Sequence, residues 1–114
     1  MKPTNLPEFK ALIKRYKSIT LEEIENIWVV DVAYTAYKLT GFGSSNTCTL
    51  CIAAKDNCDK CVYRHKHTYA RCNTHDNHLS YDAIYNARTP QELLNAFRER
   101  AKRMEEILTE LNLN

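Results

Sequence analysis

The cysteines and histidines of this 114-residue chain are concentrated in one stretch, which begins at Cys48 and ends at His78. The stretch reads CTLCIAAKDNCDKCVYRHKHTYARCNTHDNH and holds all five cysteines and all four histidines of the protein. Its first four cysteines form two C-x2-C pairs, and each pair can form a turn in which both thiolates reach one ion. Thiolates select zinc or an iron–sulfur cluster over magnesium or calcium. The segment 48–78 is therefore predicted to bind a metal and to tie the flanking helices together.

The simplest ligand set for one tetrahedral zinc ion consists of the two pairs, Cys48, Cys51, Cys58 and Cys61. The six-residue loop between the pairs is short for wrapping around one ion, so Cys72 and His75 are predicted as alternates. Zinc is the predicted ion, and an iron–sulfur cluster held by four thiolates is the alternative. A zinc ion with four protein ligands has no open position for water, which argues against catalysis at the metal.

The rest of the sequence predicts a small cytoplasmic protein with one domain and a modest core. No run has the length and apolarity of a membrane span, and the N-terminal MKPTNLPEFK lacks the apolar region of a signal peptide. Thiols stay reduced in the cytosol, so the C-x2-C pairs point to a metal before disulfides. The odd number of five cysteines would also leave one thiol over under a disulfide-only interpretation.

Scarcity of glycine predicts a mainly α fold, because the chain has only two glycines and three prolines for turns. We expect three to four helices around the cysteine-rich, zinc-binding loop region. An N-terminal helical pair is predicted over 7–40, a linker over 41–47, the metal-binding segment over 48–78 and C-terminal helices over 80–112.

The N-terminal half predicts one short and one long helix. Pro7 suits the start of the first, whose apolar face is expected to consist of Phe9, Leu12, Ile13 and Tyr16. Thr20-Leu21-Glu22-Glu23 is a capping box for the second, predicted over Ile19–Thr40 and ending before Gly41. The run Ile27–Leu39 is apolar on nearly every side, which predicts a buried central helix. Asp31 interrupts this run and is expected to reach the surface or a partner such as a backbone donor.

The C-terminal half predicts a short helix capped by Ser80 and a long one that opens at Thr89-Pro90-Gln91-Glu92 and runs to about Leu111. The long helix is expected to pack against the central helix, and a homodimer through the 90–111 helix is the alternative. Its apolar positions alternate by three and four residues, as in a helix-pairing seam: Leu94, Phe97, Ala101, Met104, Leu108 and Leu111, widened by Leu93 and Ile107.

The sequence offers two further functions besides protein binding. Basic residues interleaved with tyrosines over 55–71 could bind phosphates and stack bases; the candidates are Lys60, Arg64, Lys66 and Arg71, extended by Arg98, Arg100, Lys102 and Arg103. A net charge of +2 is too small to imply nucleic acid on its own, and thiolates around zinc would offset the local excess. Cys72, His75 and Asp76 supply the ingredients of nucleophilic catalysis, but such groups normally converge from distant segments, so we do not expect an enzyme.

The order of the cysteines resembles that of small uncharacterised cysteine-rich proteins of phages and mobile elements. Those proteins show C-P-x-C, then C-x-x-C-P, then a further cysteine before a Thr-Pro-like turn and a C-terminal helix. The resemblance covers roughly residues 48–111, with Thr49 and Val62 in place of the two prolines. It implies a metal-stabilised small protein of phage type without an established activity. We therefore expect a binding protein that docks on another protein, such as a phage-type inhibitor of a host process, and the alternative is a nucleic-acid-binding regulator.

Overall fold

The computed structural model describes residues 5–29, 31–41, 62 and 78–113. In these ranges the chain forms five helices and no strand: α1 (Leu6–Ser18), α2 (Leu21–Ile27), α3 (Val32–Thr40), α4 (His78–Tyr85) and α5 (Pro90–Glu110). The prediction of a mainly α fold is confirmed, although three to four helices were expected. The predicted zinc-binding loop lies outside the described residues.

The last helix, α5, is the central element of the described core. It is 21 residues long and packs against α1, α2 and α4. Within the chain, the helix-pairing seam of α5 is covered chiefly by α1 rather than by the predicted central helix. A homodimer through the remaining surface of α5 stays a prediction. The buried residues of α5 form a continuous stripe: Leu93, Ala96, Phe97, Arg100, Ala101, Met104, Ile107 and Leu108.

The packing of α1 on α5 follows the predicted apolar face. Phe9, Leu12, Ile13 and Tyr16 are all buried, which confirms that face. The Tyr16 ring stacks on Phe97, with 5.2 Å between ring centroids and an interplanar angle of 25°. An aromatic pair of this kind contributes about 0.5–1.5 kcal/mol beyond the apolar area that it buries. The contact therefore fixes the middle of α5 against the end of α1.

Arg98 fastens the C-terminal end of α1 to α5. Its guanidinium donates hydrogen bonds to the backbone oxygens of Tyr16 and Ile19, the latter at 2.7 Å. The last carbonyls of a helix have no partner within that helix, and a cation at this end also favours the helix dipole. Arg98, which the sequence suggested for nucleic acid, thus caps the C-terminal end of α1.

The capping box at the start of α2 is present as predicted. Thr20 Oγ1 accepts a hydrogen bond from Glu23 N, and Glu23 Oε1 accepts one from Thr20 N, both at 3.2 Å. Arg15 also donates a hydrogen bond to Glu23 Oε2 at 2.9 Å. This bond is the main reason, and the hydrogen bond from the Thr20 backbone the second reason, that the pKa of Glu23 lies below its ordinary value of 4.5. The contribution of this carboxylate to stability is therefore present above pH 4.5 and is lost as the pH falls through the lowered pKa.

The predicted long helix over Ile19–Thr40 is wrong, because α2 ends at Ile27 and α3 begins only at Val32. Asp31 explains the new start: its Oδ1 accepts a hydrogen bond from Tyr34 N at 3.2 Å, so this side chain caps α3. Trp28 has extended backbone, with φ −61° and ψ 127°, and the β-branched residues that follow in the sequence favour such a conformation. Asp31 thus has the backbone donor that was expected for it.

The break also overturns the prediction that Ile27–Leu39 is buried on nearly every side. Within α3 the buried residues are Thr35, Ala36 and Leu39, which form one stripe of the helix. The helix ends at Gly41 as predicted: its φ of 74° is left-handed, and its N–H donates to Tyr37 O at 2.8 Å. A single-sided helix therefore replaces the fully buried one.

Of the two C-terminal helices, only α5 begins with the predicted cap. Ser80 is not the cap of α4, because that helix begins at His78 and the Ser80 hydroxyl instead accepts a hydrogen bond from Arg100 Nη1 at 2.8 Å. Thr89 does cap α5, since its Oγ1 accepts from Glu92 N at 3.1 Å. The Glu92 carboxylate accepts a hydrogen bond from the backbone N–H of Arg88 at 3.0 Å.

Replacing Thr89 by alanine is expected to lower the free energy of unfolding by about 1 kcal/mol, because the amide of Glu92 loses its acceptor. Urea unfolding followed by far-UV circular dichroism measures this change. The matched control is Thr89→Ser, which keeps a capping hydroxyl and should stay close to wild type. Equal stability of the alanine and serine variants would show that this cap does not contribute.

Candidate functional site

The predicted metal ligands and the nucleic-acid candidates of the segment 55–71 lie outside the described part of the chain. This holds for the metal ligands and for the basic candidates: Cys48, Cys51, Cys58, Cys61, Cys72, His75, Lys60, Arg64, Lys66 and Arg71. Asp76 lies there too. Within residues 5–29, 31–41, 62 and 78–113, no group of three or more His, Cys, Asp or Glu side chains is placed to hold a metal. The metal site and the nucleic-acid site stay predictions.

Val62, which directly follows the predicted ligand Cys61, lies in the helical core. Its side chain is fully buried, and its N–H donates a hydrogen bond to Asn5 Oδ1 at 3.0 Å. Asn5 is itself buried and precedes α1, where its backbone oxygen accepts from Phe9 N at 2.8 Å. The predicted metal-binding segment is therefore joined to the start of α1 one residue after a predicted ligand.

Three of the four basic residues of α5 that extended the nucleic-acid prediction have partners within the protein. Arg98 binds the end of α1, and Arg100 is fully buried, with its guanidinium 5.9 Å from the centroid of the Tyr81 ring. Arg103 is only 14% exposed and pairs with Glu106 at 3.6 Å and with Glu110 at 4.0 Å. Lys102 is exposed. The described part of α5 therefore adds little to a phosphate-binding surface.

Three lysines of α1, Lys10, Lys14 and Lys17, are exposed, but the charge is mixed where this side of the helix meets α5. Lys17 Nζ pairs with Glu105 Oε2 at 3.1 Å, and Glu105 also lines a shallow depression with Lys10. Exposed pairs of this kind contribute about 0–1 kcal/mol. We interpret this face as a solvated helix surface.

An open cleft of about 410 Å³ lies between α4 and α5. Its rim carries Leu79, whose side chain is 73% exposed. Its walls carry both signs of charge, with Glu99 and Glu106 beside Lys102 and Arg103. A cleft with balanced charge and one exposed leucine selects no particular ligand chemistry.

The most distinctive described surface lies on α2, α3 and their connection. Four large apolar or aromatic side chains are exposed there: Ile27 at 38%, Val29 at 41%, Tyr34 at 50% and Tyr37 at 39%. We call these four residues the α2–α3 surface. Tyr34 and Tyr37 lie three residues apart in α3 and so lie on neighbouring parts of one helix face.

Hydrogen bonds hold the backbone of the α2–α3 surface in place. Val29 N donates a hydrogen bond to Thr35 Oγ1 at 3.3 Å, and the buried Thr35 also donates to Asp31 O at 3.4 Å. Arg15 Nε donates to Leu39 O at 2.8 Å, which attaches the end of α3 to α1. Trp28 packs partly buried against the core. The exposed side chains are thus presented by an ordered support.

Sequence reasoning missed this surface because an apolar run was interpreted as a buried one. The available signal was Asp31, an N-cap residue type placed three residues before Tyr34 within that run. No family model, no curated protein and no solved structure matches this chain. Among the described helices, none has both the length and the apolarity needed to cross a membrane.

Proposed function

We propose that this chain is a small zinc-stabilised binding protein that docks on another protein through the α2–α3 surface. The observation that supports the proposal is the joint exposure of Ile27, Val29, Tyr34 and Tyr37. Single exposed apolar residues are ordinary in a folded protein, but several on one pair of helices are typical of an interaction site. Tyrosine is also enriched among the residues that carry most of the binding energy in protein interfaces.

Zinc has a structural role in this proposal. Four thiolates from the two C-x2-C pairs would close the coordination sphere and leave no position for a substrate. Val62 supports the idea that the segment stabilises the fold, since this neighbour of Cys61 is buried in the core beside Asn5. A protein of the phage type that the cysteine pattern resembles would use the α2–α3 surface to interfere with a host process. The nucleic-acid alternative over 55–71 gains no support from the described residues.

The double variant Tyr34→Ser/Tyr37→Ser is expected to abolish docking. Hot-spot side chains each contribute about 2 kcal/mol or more, which corresponds to about 30-fold in Kd for one tyrosine. The measurement is affinity capture from a lysate of the native cell, quantified by mass spectrometry, followed by titration of the captured protein against purified variants. Both tyrosines are exposed, so the free energy of unfolding should change little.

The matched control is Leu79→Ser, which removes an exposed apolar side chain from α4 and leaves the α2–α3 surface intact. This control should retain the captured protein at wild-type affinity. Equal retention by the double tyrosine variant and by the wild type would remove the α2–α3 surface as the docking site. Loss in all variants, including the control, would show that the effect of the tyrosine substitutions is not specific to the α2–α3 surface, and would remove the support for it as the docking site.

A further inference from the structure

We infer that Arg15 is a positioning residue of the α2–α3 surface, because its guanidinium binds both helices of that surface at once and so fixes their relative orientation. This role of Arg15 rests on the proposed docking function and concerns how the two halves of the surface are aligned before a partner arrives. Arg15 lies in α1 and thus belongs to neither half. It acts through a side chain of α2 and a backbone carbonyl of α3.

Arg15 reaches α2 and α3 with two neighbouring nitrogens of one planar group. Its Nη2 donates a hydrogen bond to Glu23 Oε2 at 2.9 Å, and its Nε donates one to Leu39 O at 2.8 Å. Glu23 lies one turn before Ile27 in α2, and Leu39 lies two residues after Tyr37 in α3. Each half of the surface is therefore attached to the same guanidinium, close to the side chains that it exposes.

The hydrogen bond to α3 satisfies an acceptor that this helix cannot satisfy itself. The last carbonyls of a helix have no partner within the helix, and Leu39 O is one of them. Leu39 is only 8% exposed, and a polar group that is shielded from water without a partner lowers stability. The hydrogen bond from Arg15 therefore favours the orientation in which the end of α3 reaches α1.

The start of α3 is attached separately, which defines how the helix would move without Arg15. Val29 N donates a hydrogen bond to Thr35 Oγ1 at 3.3 Å, and this bond does not involve α1. Loss of the Arg15 bonds would release the end of α3 while its start stays attached. The helix would then pivot about its start, and Tyr37 would move further than Tyr34.

Alignment of this kind matters for docking because a binding surface works only when its parts are held within about 10–20° of the productive geometry. Fixing the two helices beforehand also removes the cost of ordering them from association. Arginine suits this task, since its planar group holds several donors in fixed directions. A lysine ammonium is a single charge on a flexible stem and cannot reproduce that geometry.

Residual dipolar couplings of the backbone amides test this role on the full-length protein as purified, without any partner. The variant Arg15→Met removes both hydrogen bonds and keeps an apolar stem. Relative to α1 and α5, α3 is expected to rotate by at least about 10–20° in this variant. Arg15→Lys keeps the charge without the planar group and should lie between Arg15→Met and the wild type, so it provides the comparison if Arg15→Met does not fold.

The matched control is Lys17→Met, which removes a cation from the same helix that pairs with Glu105 of α5. This control should leave the couplings of α2 and α3 unchanged. Unchanged couplings in a folded Arg15→Met or, if that variant does not fold, in Arg15→Lys would overturn the positioning role, even with a lower free energy of unfolding. Arg15 would then contribute to stability alone.

Affinity separates this role from the docking function itself. The protein captured through Tyr34 and Tyr37 is expected to bind Arg15→Met about tenfold more weakly, as when the competent arrangement is populated to about one-tenth. Changed couplings with wild-type affinity would overturn the role of Arg15 in docking. Failure of the docking function appears instead in the tyrosine experiment, where Arg15 is intact, so the two failures are distinguishable.

Discussion

Replacing Phe97 by alanine is expected to lower the free energy of unfolding by about 3–5 kcal/mol. The ring is fully buried and stacks on Tyr16 at 5.2 Å, so its removal leaves a cavity where α1 meets α5. A domain of this size has a total stability of about 5–15 kcal/mol, so one substitution removes a large share of it. Urea unfolding followed by far-UV circular dichroism measures the loss as a lower midpoint with an unchanged slope.

Two further variants make this result specific to packing. Phe97→Leu keeps most of the apolar volume and should cost less than the alanine variant, which provides a readout if Phe97→Ala does not fold. Lys102→Ala changes an exposed residue of the same helix and should stay within about 0.5 kcal/mol of wild type. A loss below about 1 kcal/mol for Phe97→Ala would contradict the packing of α1 on α5.

The parts of the fold that the sequence predicted well depend on local interactions. Thr20 and Thr89 each bind an amide three residues away, so the same few letters that define the motif also supply both partners. The face around Phe9 and Tyr16 follows from helical spacing alone. Such signals survive in any tertiary context, because they are complete within one or two turns of helix.

The errors concern side chains whose partners are distant in the sequence or whose pattern fits two structures. Ser80 could have capped α4, but it receives the guanidinium of Arg100 from 20 residues further along the chain. Arg98 looked like a surface charge, yet its acceptor oxygens belong to Tyr16 and Ile19, 82 and 79 residues away. Asp31 fits an interrupted long helix as well as a new cap. Periodicity and charge alone do not choose between these outcomes.

The same limit applies to the candidate sites. Cysteine spacing predicts a metal but does not show that Val62 enters the core, because its partner Asn5 lies 57 residues away. The exposure of the α2–α3 surface follows from the break at Trp28, which divides the predicted long helix over Ile19–Thr40 into two short helices. Residue type indicated the chemistry, whereas exposure had to come from the tertiary structure.

Removing zinc is expected to destabilise the protein by about 10 kcal/mol or more, within the proposal of a four-thiolate site. This is as large as the total stability of a domain of this size, about 5–15 kcal/mol, so a strong chelator should abolish cooperative folding and reduce helicity. Elemental analysis with native mass spectrometry, on protein purified without added metal, should find one zinc per chain before chelation. Iron with labile sulfide would replace zinc by a cluster, and metal-free protein with oxidised cysteines would contradict the metal site.

Single serine variants separate the predicted ligand set from its alternates. Cys58→Ser is expected to lose zinc binding and stability together, whereas Cys72→Ser should keep both if the two C-x2-C pairs hold the ion. Loss of zinc in Cys72→Ser would move the site to the alternate set. Serine is close to cysteine in size but is a poor ligand for zinc, so a difference between these variants reports coordination rather than packing.

Val62→Ala distinguishes the metal from the packing that accompanies it. The valine is buried and is no ligand, so the variant should retain its zinc while losing about 1–3 kcal/mol of stability. If zinc stabilises the fold through the packing of Val62, chelation should lower the free energy of unfolding less in the variant than in the wild type. The reason is that the variant has already lost part of the stability that the metal supplies. Equal costs would place the stabilising effect of zinc elsewhere in the segment 48–78, since changes at independent sites add.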